Sequence, residues 1–232
     1  MPPKPLRVTP APAQPGLDFE QELWQRGLFP VVGLDEAGRG AWAGPVFAGA
    51  VVLPAAADIS TLLAGVDDSK QLTPAQRELC AVLIQTHAAA CGVGQSSVEE
   101  INELGILPAT RLAMTRSVAG LALRPAHALV DFVHLPELDL PQTAITHGDA
   151  VSLSIAAASI LAKTARDAFM RELDTLYPGY EFSRHKGYGT ALHQACLREK
   201  GPSPAHRVHY RPIASLAPAA PAESPGAPVL SS

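Results

Sequence analysis

Runs of apolar residues divide the chain into short predicted strands separated by stretches with helical spacing. The run 29–34 is strongly apolar and stops at two adjacent carboxylates, Asp35 and Glu36. Apolar runs of this length, bounded by glycine, proline or charge, are typical of buried strands. Five strands are predicted in this way, at residues 29–34, 45–53, 91–96, 127–131 and 142–146.

Capping patterns and helical spacing predict the helices. Thr73, followed by Pro74 and Gln76, forms a capping-box pattern, and Ser97 with Glu100 forms another. The longest apolar segment is rich in alanine and stops before Pro-Gly. Helices are expected at residues 17–28, 74–90, 107–121, 151–176 and 193–201. Strands that come first and then alternate with helices indicate an α/β sheet with helices on its faces.

The two ends of the chain differ in composition from the rest. The chain has 232 residues and is 47% hydrophobic, enough to bury one core. Its ends are rich in Pro, Ala and Ser and lack apolar periodicity. We therefore expect residues 1–16 and 214–232 to be disordered tails and residues 17–213 to form one folded domain.

Charge and cysteine content narrow the classes of protein. The net charge is −4, but nine Lys and Arg face five Asp and Glu between residues 163 and 211. This asymmetry permits a phosphate-facing surface, and it also fits an ordinary solvated helix face. Three cysteines without a CxxC pattern argue against a disulfide scaffold or a zinc site. With no signal-type or membrane-spanning run, we expect a cytoplasmic monomer with no membrane association.

Carboxylates stand at the ends of three predicted segments. Asp35 with Glu36 ends the first strand, Asp131 ends the fourth, and Asp149 stands before the long helix. Neighbouring strand ends meet at one edge of an α/β sheet, so these side chains can converge there. Four carboxylates would suit one or two hard divalent cations, Mg²⁺ or Mn²⁺. Two such ions ~4 Å apart can activate a water and stabilise the leaving oxygen of a phosphodiester.

Each carboxylate also has a purely structural interpretation. Asp35 and Glu36 could be solvated in a polar hairpin turn. Asp131 could be a polar strand end, and Asp149 could be the N-cap of the long helix. The residues taken one by one leave these alternatives open, so the convergence of the four side chains is a prediction.

Six motifs, in order along the chain, carry a resemblance to a known family. They span nearly the whole predicted domain. They are Asp35-Glu-Ala-Gly-Arg-Gly40 with Gly44-Pro45, Asp68-Ser69-Lys70, Gly148-Asp149, Ser154-Ile-Ala-Ala-Ala-Ser-Ile-Leu-Ala-Lys163, His185-Lys-Gly-Tyr188 and Pro202-Ser-Pro-Ala-His-Arg207. In these motifs the chain resembles the type 2 ribonuclease H family, bacterial ribonuclease HII.

The resemblance implies both a fold and an activity. The implied fold is ribonuclease H-like, with a mixed five-stranded sheet flanked by helices and a helical C-terminal portion. The implied activity is metal-dependent hydrolysis of RNA in RNA–DNA hybrids, together with incision 5′ to single ribonucleotides embedded in duplex DNA. Residues 17–213 would then be the catalytic domain, with these nucleic acids as its partners.

The resemblance also assigns roles to residues of this chain. It implies that Asp35, Glu36, Asp131 and Asp149 are the catalytic residues and metal ligands. It further implies a substrate-binding set in which the Gly-Arg-Gly loop senses the ribose 2′-hydroxyl, a tyrosine contacts the substrate and a lysine lies near phosphate. That set is Gly38, Arg39, Gly40, Lys70 and Tyr188. Glycines on both sides of an arginine allow the close backbone approach that 2′-hydroxyl recognition needs.

Two residues depart from the family pattern. Phe132 follows Asp131 where the family usually has glycine, and His147 precedes Gly148 where it usually has lysine. The first change places a bulky residue beside the predicted metal site. The second removes a fixed positive charge.

Other interpretations of the chain remain open. One is a ribonuclease H-fold nuclease restricted to hybrids, which the Gly-Arg-Gly loop and Tyr188 argue against. Another is a nucleic-acid binding module without catalysis, which four intact carboxylates argue against. The histidines lack the short paired spacing of a zinc site. His206 with Arg207 is expected either to support the end of the fold or to touch the nucleic-acid backbone.

Overall fold

The predicted α/β architecture is confirmed by a computed structural model that describes residues 14–216. Within this range five strands form one sheet: Val31–Ala37 (β1), Val46–Val52 (β2), Ala90–Ser96 (β3), His127–Asp131 (β4) and Gln142–Ile145 (β5). Their order across the sheet is β3-β2-β1-β4-β5. The first three strands pair antiparallel, whereas β4 joins β1, and β5 joins β4, in parallel. The sheet is therefore mixed, as expected.

The helices lie between and after the strands. Those of the described residues are Asp18–Gln25 (α1), Ile59–Leu62 (α2), Pro74–His87 (α3), Val98–Leu104 (α4), Ile106–Ala119 (α5), Leu153–Leu176 (α6), Phe182–His185 (α7), Ala191–Lys200 (α8) and Arg211–Ala214 (α9). Both predicted capping boxes are present: the Thr73 hydroxyl accepts from the Gln76 amide of α3, and Ser97 accepts from the Glu100 amide of α4. The end of the described chain is helical, as the resemblance implied.

The long helix α6 packs unusually close to the sheet. A Cβ atom on Gly33 of β1 would lie 2.3 Å from the Ser154 carbonyl carbon, and one on Gly49 of β2 would lie 2.1 Å from the Ala158 oxygen. Such distances leave no room for a side chain, so glycine in the strands and alanine in the helix permit the contact. The opposite face of the sheet is covered by α5, whose Ala113 and Met114 are fully buried.

Two local features differ from the sequence-based expectations. β1 does not stop before the carboxylates but continues to Ala37, because β2 pairs with Asp35 and Glu36 and supplies their backbone with partners. Asp149 is not the N-cap of α6. It lies in a separate 3-10 turn, Gly148–Ala150, while the Ser152 hydroxyl accepts from the Ile155 amide. The capping interpretation of Asp149 is therefore wrong.

The predicted tails fall mostly outside the described residues. Of residues 1–16 only 14–16 are described, and of residues 214–232 only 214–216. The tail boundaries remain predictions. Within the described range, no helix combines the length and the apolar character needed to cross a membrane.

Candidate active site

Three of the predicted carboxylates converge at one edge of the sheet. β1 and β4 run parallel with Leu34 beside Val130, so the residues that follow, Asp35 and Asp131, lie next to each other. One carboxylate oxygen from each of Asp35, Glu36 and Asp131 lies within 4.8 Å of the other two. The parallel pairing of two strands far apart in sequence therefore brings these side chains together.

The fourth carboxylate, Asp149, adjoins this cluster without joining its closest group. Its 3-10 turn is attached to β4 because the Gly148 amide donates to Asp131 Oδ1 at 2.7 Å. Asp149 itself is buried, and Lys70 Nζ donates to its Oδ2 at 2.8 Å. Lys70 was predicted near substrate phosphate, and the structure places its ammonium group on a predicted metal ligand.

Burial and mutual repulsion make ionisation of the cluster costly. Burial raises the pKa of Asp35 well above its usual value, and the charges of Glu36 and Asp131 raise it further. Burial likewise raises the pKa of Glu36, with Arg39 opposing the rise, and it raises the pKa of Asp131. The three groups therefore favour a nearby positive charge.

The same residues fit a divalent cation. Glu36 Oε2 is buried and has no hydrogen-bond partner within the described structure. Carboxylate oxygens are the ligands that Mg²⁺ and Mn²⁺ prefer, and a cation would compensate both the repulsion and the unpaired oxygen. The donor set thus matches a hard divalent ion, with Asp35, Glu36 and Asp131 nearest to one another and Asp149 beside them.

The Gly-Arg-Gly loop follows β1 directly and lines the same site. Arg39 Nη1 lies 3.1 Å from Glu36 Oε1, and the Arg39 side chain is partly exposed. Gly38 has φ +92°, and a Cβ atom there would lie 1.9 Å from Arg166 Nε. A Cβ atom on Gly40 would meet no atom of the described part of the chain within 4 Å. The fold therefore requires glycine at Gly38, whereas at Gly40 the space beside the backbone is open.

A buried arginine from the end of the domain holds this loop in place. Arg207 is fully buried and donates to the carbonyl oxygens of Gly38 at 2.8 Å, Arg39 at 2.9 Å and Gly44 at 2.8 Å. The Tyr210 hydroxyl donates to the Arg39 carbonyl at 2.8 Å. Of the two roles expected for His206 and Arg207, the structure supports the first, since neither side chain reaches the surface.

The loop that carries Tyr188 is held by a second buried arginine. Arg166 of α6 donates to the carbonyls of Pro45 at 3.0 Å, Ala43 at 3.1 Å and Lys186 at 2.9 Å. Its guanidinium carbon also lies 5.4 Å from the centre of the Tyr188 ring. Burial lowers the pKa of Arg166 to about 10, so it remains charged near neutral pH.

Three buried histidines link the Tyr188 loop to the segment before Arg207. The His193 Nδ1–H donates to the Tyr188 carbonyl at 3.0 Å, and His193 Nε2 lies 3.0 Å from His206 Nε2. His185 stacks on His193, and the Ser203 amide donates to His206 Nδ1 at 2.9 Å. These contacts are all satisfied when the rings are neutral. Burial lowers the pKa of both His193 and His206 to about 4, which agrees with neutral rings.

A cleft of about 260 Å³ collects the predicted residues except Asp149. Its lining also includes Ser69, Ser159 and Lys163, to which the sequence had assigned no role. Lys163 Nζ lies 5.7 Å from the centre of the Tyr188 ring and pairs with Asp167. Ser69, Ser159 and Lys163 all occur within the quoted motifs, and those motifs are the signal that could have identified them. Three positively charged side chains therefore line the cleft, Arg39, Lys70 and Lys163, while Arg166 and Arg207 hold its loops from within the core.

Both departures from the family pattern have a left-handed backbone. Phe132 has φ +57° and His147 has φ +56°, values that few non-glycine residues adopt. Phe132 is 63% exposed, and the Arg39 guanidinium carbon lies 5.9 Å from the centre of its ring. The bulky residue therefore points away from the core and does not fill the carboxylate cluster.

Comparison with known proteins points to one family. The family model described as Ribonuclease HII matches residues 32–213. A ribonuclease HII of Dehalococcoides mccartyi is 49% identical over 207 residues, covering 89% of this chain and 98% of the relative. A ribonuclease HII of Chloroflexus aurantiacus is 52% identical over 200 residues, covering 86% and 94%.

A solved structure agrees with the fold. A chain in the structure of the PCNA:RNase HII complex from Archaeoglobus fulgidus superposes with a TM-score of 0.67 at 25% identity, covering 80% of this chain and 96% of that chain. The match of the family model over most of the described residues, the two relatives and this similar fold lead to one conclusion. The chain belongs to the ribonuclease HII family of metal-dependent endoribonucleases.

Proposed function

We propose that this protein hydrolyses the RNA strand of RNA–DNA hybrids and incises duplex DNA on the 5′ side of single embedded ribonucleotides. The observation that carries the proposal is that a cluster of carboxylates and the Gly-Arg-Gly loop lie in one cleft. The carboxylates Asp35, Glu36 and Asp131 lie within 4.8 Å of one another, and the Gly38–Gly40 loop lines the wall beside them. The carboxylates suit metal-dependent hydrolysis of a phosphodiester, and the loop suits recognition of a ribose.

Asp35, Glu36, Asp131 and Asp149 are the residues that would hold Mg²⁺ or Mn²⁺. Bound divalent cations supply the charge that activates an attacking water and stabilises the leaving oxygen, for which two ions are proposed. The chain itself presents buried carboxylates with raised pKa values, which favour binding of positive charge. Lys70 pairs with Asp149, and its ammonium group would be free to contact a substrate phosphate if a cation took its place on that carboxylate.

Recognition of the ribonucleotide falls to the two loops. The open space beside Gly40 lets the loop backbone approach a sugar closely, which a 2′-hydroxyl requires because that group alone distinguishes RNA from DNA at one position. Arg39 is partly exposed and can bind phosphate through its guanidinium. Tyr188, backed by Arg166 and Lys163, presents a ring to the next sugar along the strand.

The test is cleavage of two labelled substrates by the wild type and by Asp35→Asn. One substrate is a DNA duplex with a single ribonucleotide, and the other is an RNA–DNA hybrid. We expect incision of both with Mg²⁺ or Mn²⁺, with a 5′-phosphate and a 3′-hydroxyl at the nick, and loss of both activities with EDTA or with Asp35→Asn. Products ending in a 2′,3′-cyclic phosphate would contradict the proposed chemistry.

The same assay separates the alternatives. Cleavage of the hybrid without incision at the single ribonucleotide would favour a nuclease restricted to hybrids. Full single-ribonucleotide activity in Arg39→Ala would remove the proposed role of the loop. Binding of both substrates without metal-dependent turnover would favour a binding module. A native mass measurement by light scattering would test the expected monomer.

A further inference from the structure

Phe132 is an aromatic side chain exposed beside the candidate active site. It follows Asp131 of the carboxylate cluster directly, and 63% of its surface is accessible. Large aromatic residues contribute to stability mainly when they are buried. Phe132 therefore gains little from packing within its own chain.

The backbone at Phe132 makes its presence more unusual. Its φ of +57° lies in the left-handed region, which glycine adopts without strain and phenylalanine does not. Two backbone hydrogen bonds hold the bend: the Phe132 amide donates to the Ile145 carbonyl at 3.0 Å and the Val133 amide donates to the Asp131 carbonyl at 2.6 Å. Glycine could form the same bonds. Folding thus disfavours phenylalanine here, and strain of this kind is typical of functional sites.

The Phe132 ring also has a charged neighbour from the Gly38–Gly40 loop. The Arg39 guanidinium carbon lies 5.9 Å from the ring centre, and Arg39 lines the cleft. Phe132 is therefore adjacent to a residue that the proposed function places on the substrate, and it is covalently next to one that would hold a metal. A nucleic-acid strand positioned for cleavage must pass along this edge.

We propose that Phe132 is a substrate-contacting residue whose ring packs against a sugar of the strand being cleaved, next to the nucleotide that Arg39 contacts. This inference rests on the proposed function. The sugar is the favoured partner because base faces inside a duplex are covered by neighbouring bases, whereas sugars line the wide, shallow minor groove of A-form helices. Such a contact strengthens binding without reading base sequence.

The experiment measures binding of a fluorescent RNA–DNA hybrid in EDTA, where cleavage is absent. Phe132→Gly and Phe132→Ala both remove the ring, and we expect each to weaken binding by about 5- to 20-fold. Phe132→Trp keeps an aromatic face and should bind as the wild type does. Leu176→Ala truncates an apolar side chain that is also highly exposed, at the far end of α6, and should leave binding unchanged.

Thermal unfolding of the same proteins separates contact from folding. Phe132→Gly should raise Tm by roughly 2–4 °C because it relieves the strained backbone, whereas Phe132→Ala should not. Weaker binding by a more stable protein cannot come from a folding defect. Suppose that the wild type binds the hybrid and cleaves it with Mg²⁺. Unchanged affinity of Phe132→Gly and Phe132→Ala would then overturn the inference about Phe132 and leave the proposed function standing. Failure of the wild type both to bind the hybrid in EDTA and to cleave it with Mg²⁺ would overturn the inference and the proposed function together.

Discussion

The acidic edge, which consists of Asp35, Glu36 and Asp131, differs from the buried frame behind it in how well its polar groups are paired. We use the term buried frame for the five side chains that hold the two substrate loops: Arg166, Arg207, His185, His193 and His206. Their polar atoms have partners throughout the described structure. In the acidic edge, three carboxylates repel one another, and among residues 14–216 Glu36 Oε2 finds no hydrogen-bond partner.

The two regions have different tasks: the acidic edge attracts a cation, and the buried frame positions the loops. Unsatisfied charge destabilises the folded chain but creates affinity for a cation, so it is concentrated where chemistry is proposed. Satisfied polar networks rigidify what they connect. The buried frame therefore fixes the positions of the Gly38–Gly40 loop and Tyr188, while the acidic edge keeps the energetic cost that a metal relieves.

The largest expected effect comes from removing charge at the acidic edge. Asp35→Asn should lower metal-dependent cleavage by at least about 100-fold, because a proposed metal ligand is lost. In EDTA the same variant should be more stable than the wild type, because it removes a buried, repelled carboxylate. Cleavage rates and Tm values with and without Mg²⁺ check both halves. Lower stability of Asp35→Asn in EDTA would contradict the claim that the Asp35 carboxylate destabilises the metal-free protein.

The buried frame should respond in the opposite direction. Arg207→Lys keeps the charge but loses most of the hydrogen bonds to three loop carbonyls, so we expect the free energy of unfolding to fall by about 3 kcal/mol. Urea titration measures this change. Arg211→Lys is the matched control, because Arg211 is exposed and that change should alter stability little. Equal stabilities of the two variants would argue against a supporting role for Arg207.

The two glycines of the Gly38–Gly40 loop should separate an effect on stability from an effect on substrate recognition. Gly38→Ala should destabilise the fold by about 2–4 kcal/mol, because it combines a left-handed φ with a clash against Arg166. Gly40→Ala should leave stability unchanged and should still lower incision at a single ribonucleotide by about 10-fold or more, because the methyl group blocks close approach of the sugar. Circular dichroism melts and the duplex assay measure the two effects. Normal incision by Gly40→Ala would exclude that approach.

The last expected effect is a pH dependence of stability from the histidines, which is confined to acidic conditions. His193 and His206 have pKa values of about 4 when folded, below the ordinary value of about 6.5 in the unfolded chain. The unfolded state then binds more protons between these values, so their contribution is complete above about pH 6.5 and is lost as pH falls towards 4. Urea midpoints across this range should fall less steeply in His193→Gln than in the wild type. Parallel slopes would contradict neutral, buried rings.

Local structure, and most of the side chains that line the cleft, could be predicted from the sequence. Both capping boxes appear where Thr73 and Ser97 predict them, and the strand at His127–Asp131 has the predicted bounds. These features depend on neighbours within a few residues, so local sequence contains the information that decides them. The family resemblance assigned roles to eight of the residues that line the cleft, and those roles remain the subject of the experiments above.

Only the tertiary structure decided which side chains meet. The pairing of β1 with the distant β4 brings Asp131 to Asp35, and the extension of β1 through Glu36 depends on β2. Arg207 was expected either to support the end of the fold or to touch the nucleic-acid backbone, and only the structure shows that it holds the Gly38 loop from within the core. Long-range pairing and burial are set by the packing of the whole chain, and no local pattern records them. The residue types that can do the chemistry were therefore written in the sequence, while their distances, their burial and the strain at Phe132 came from the fold.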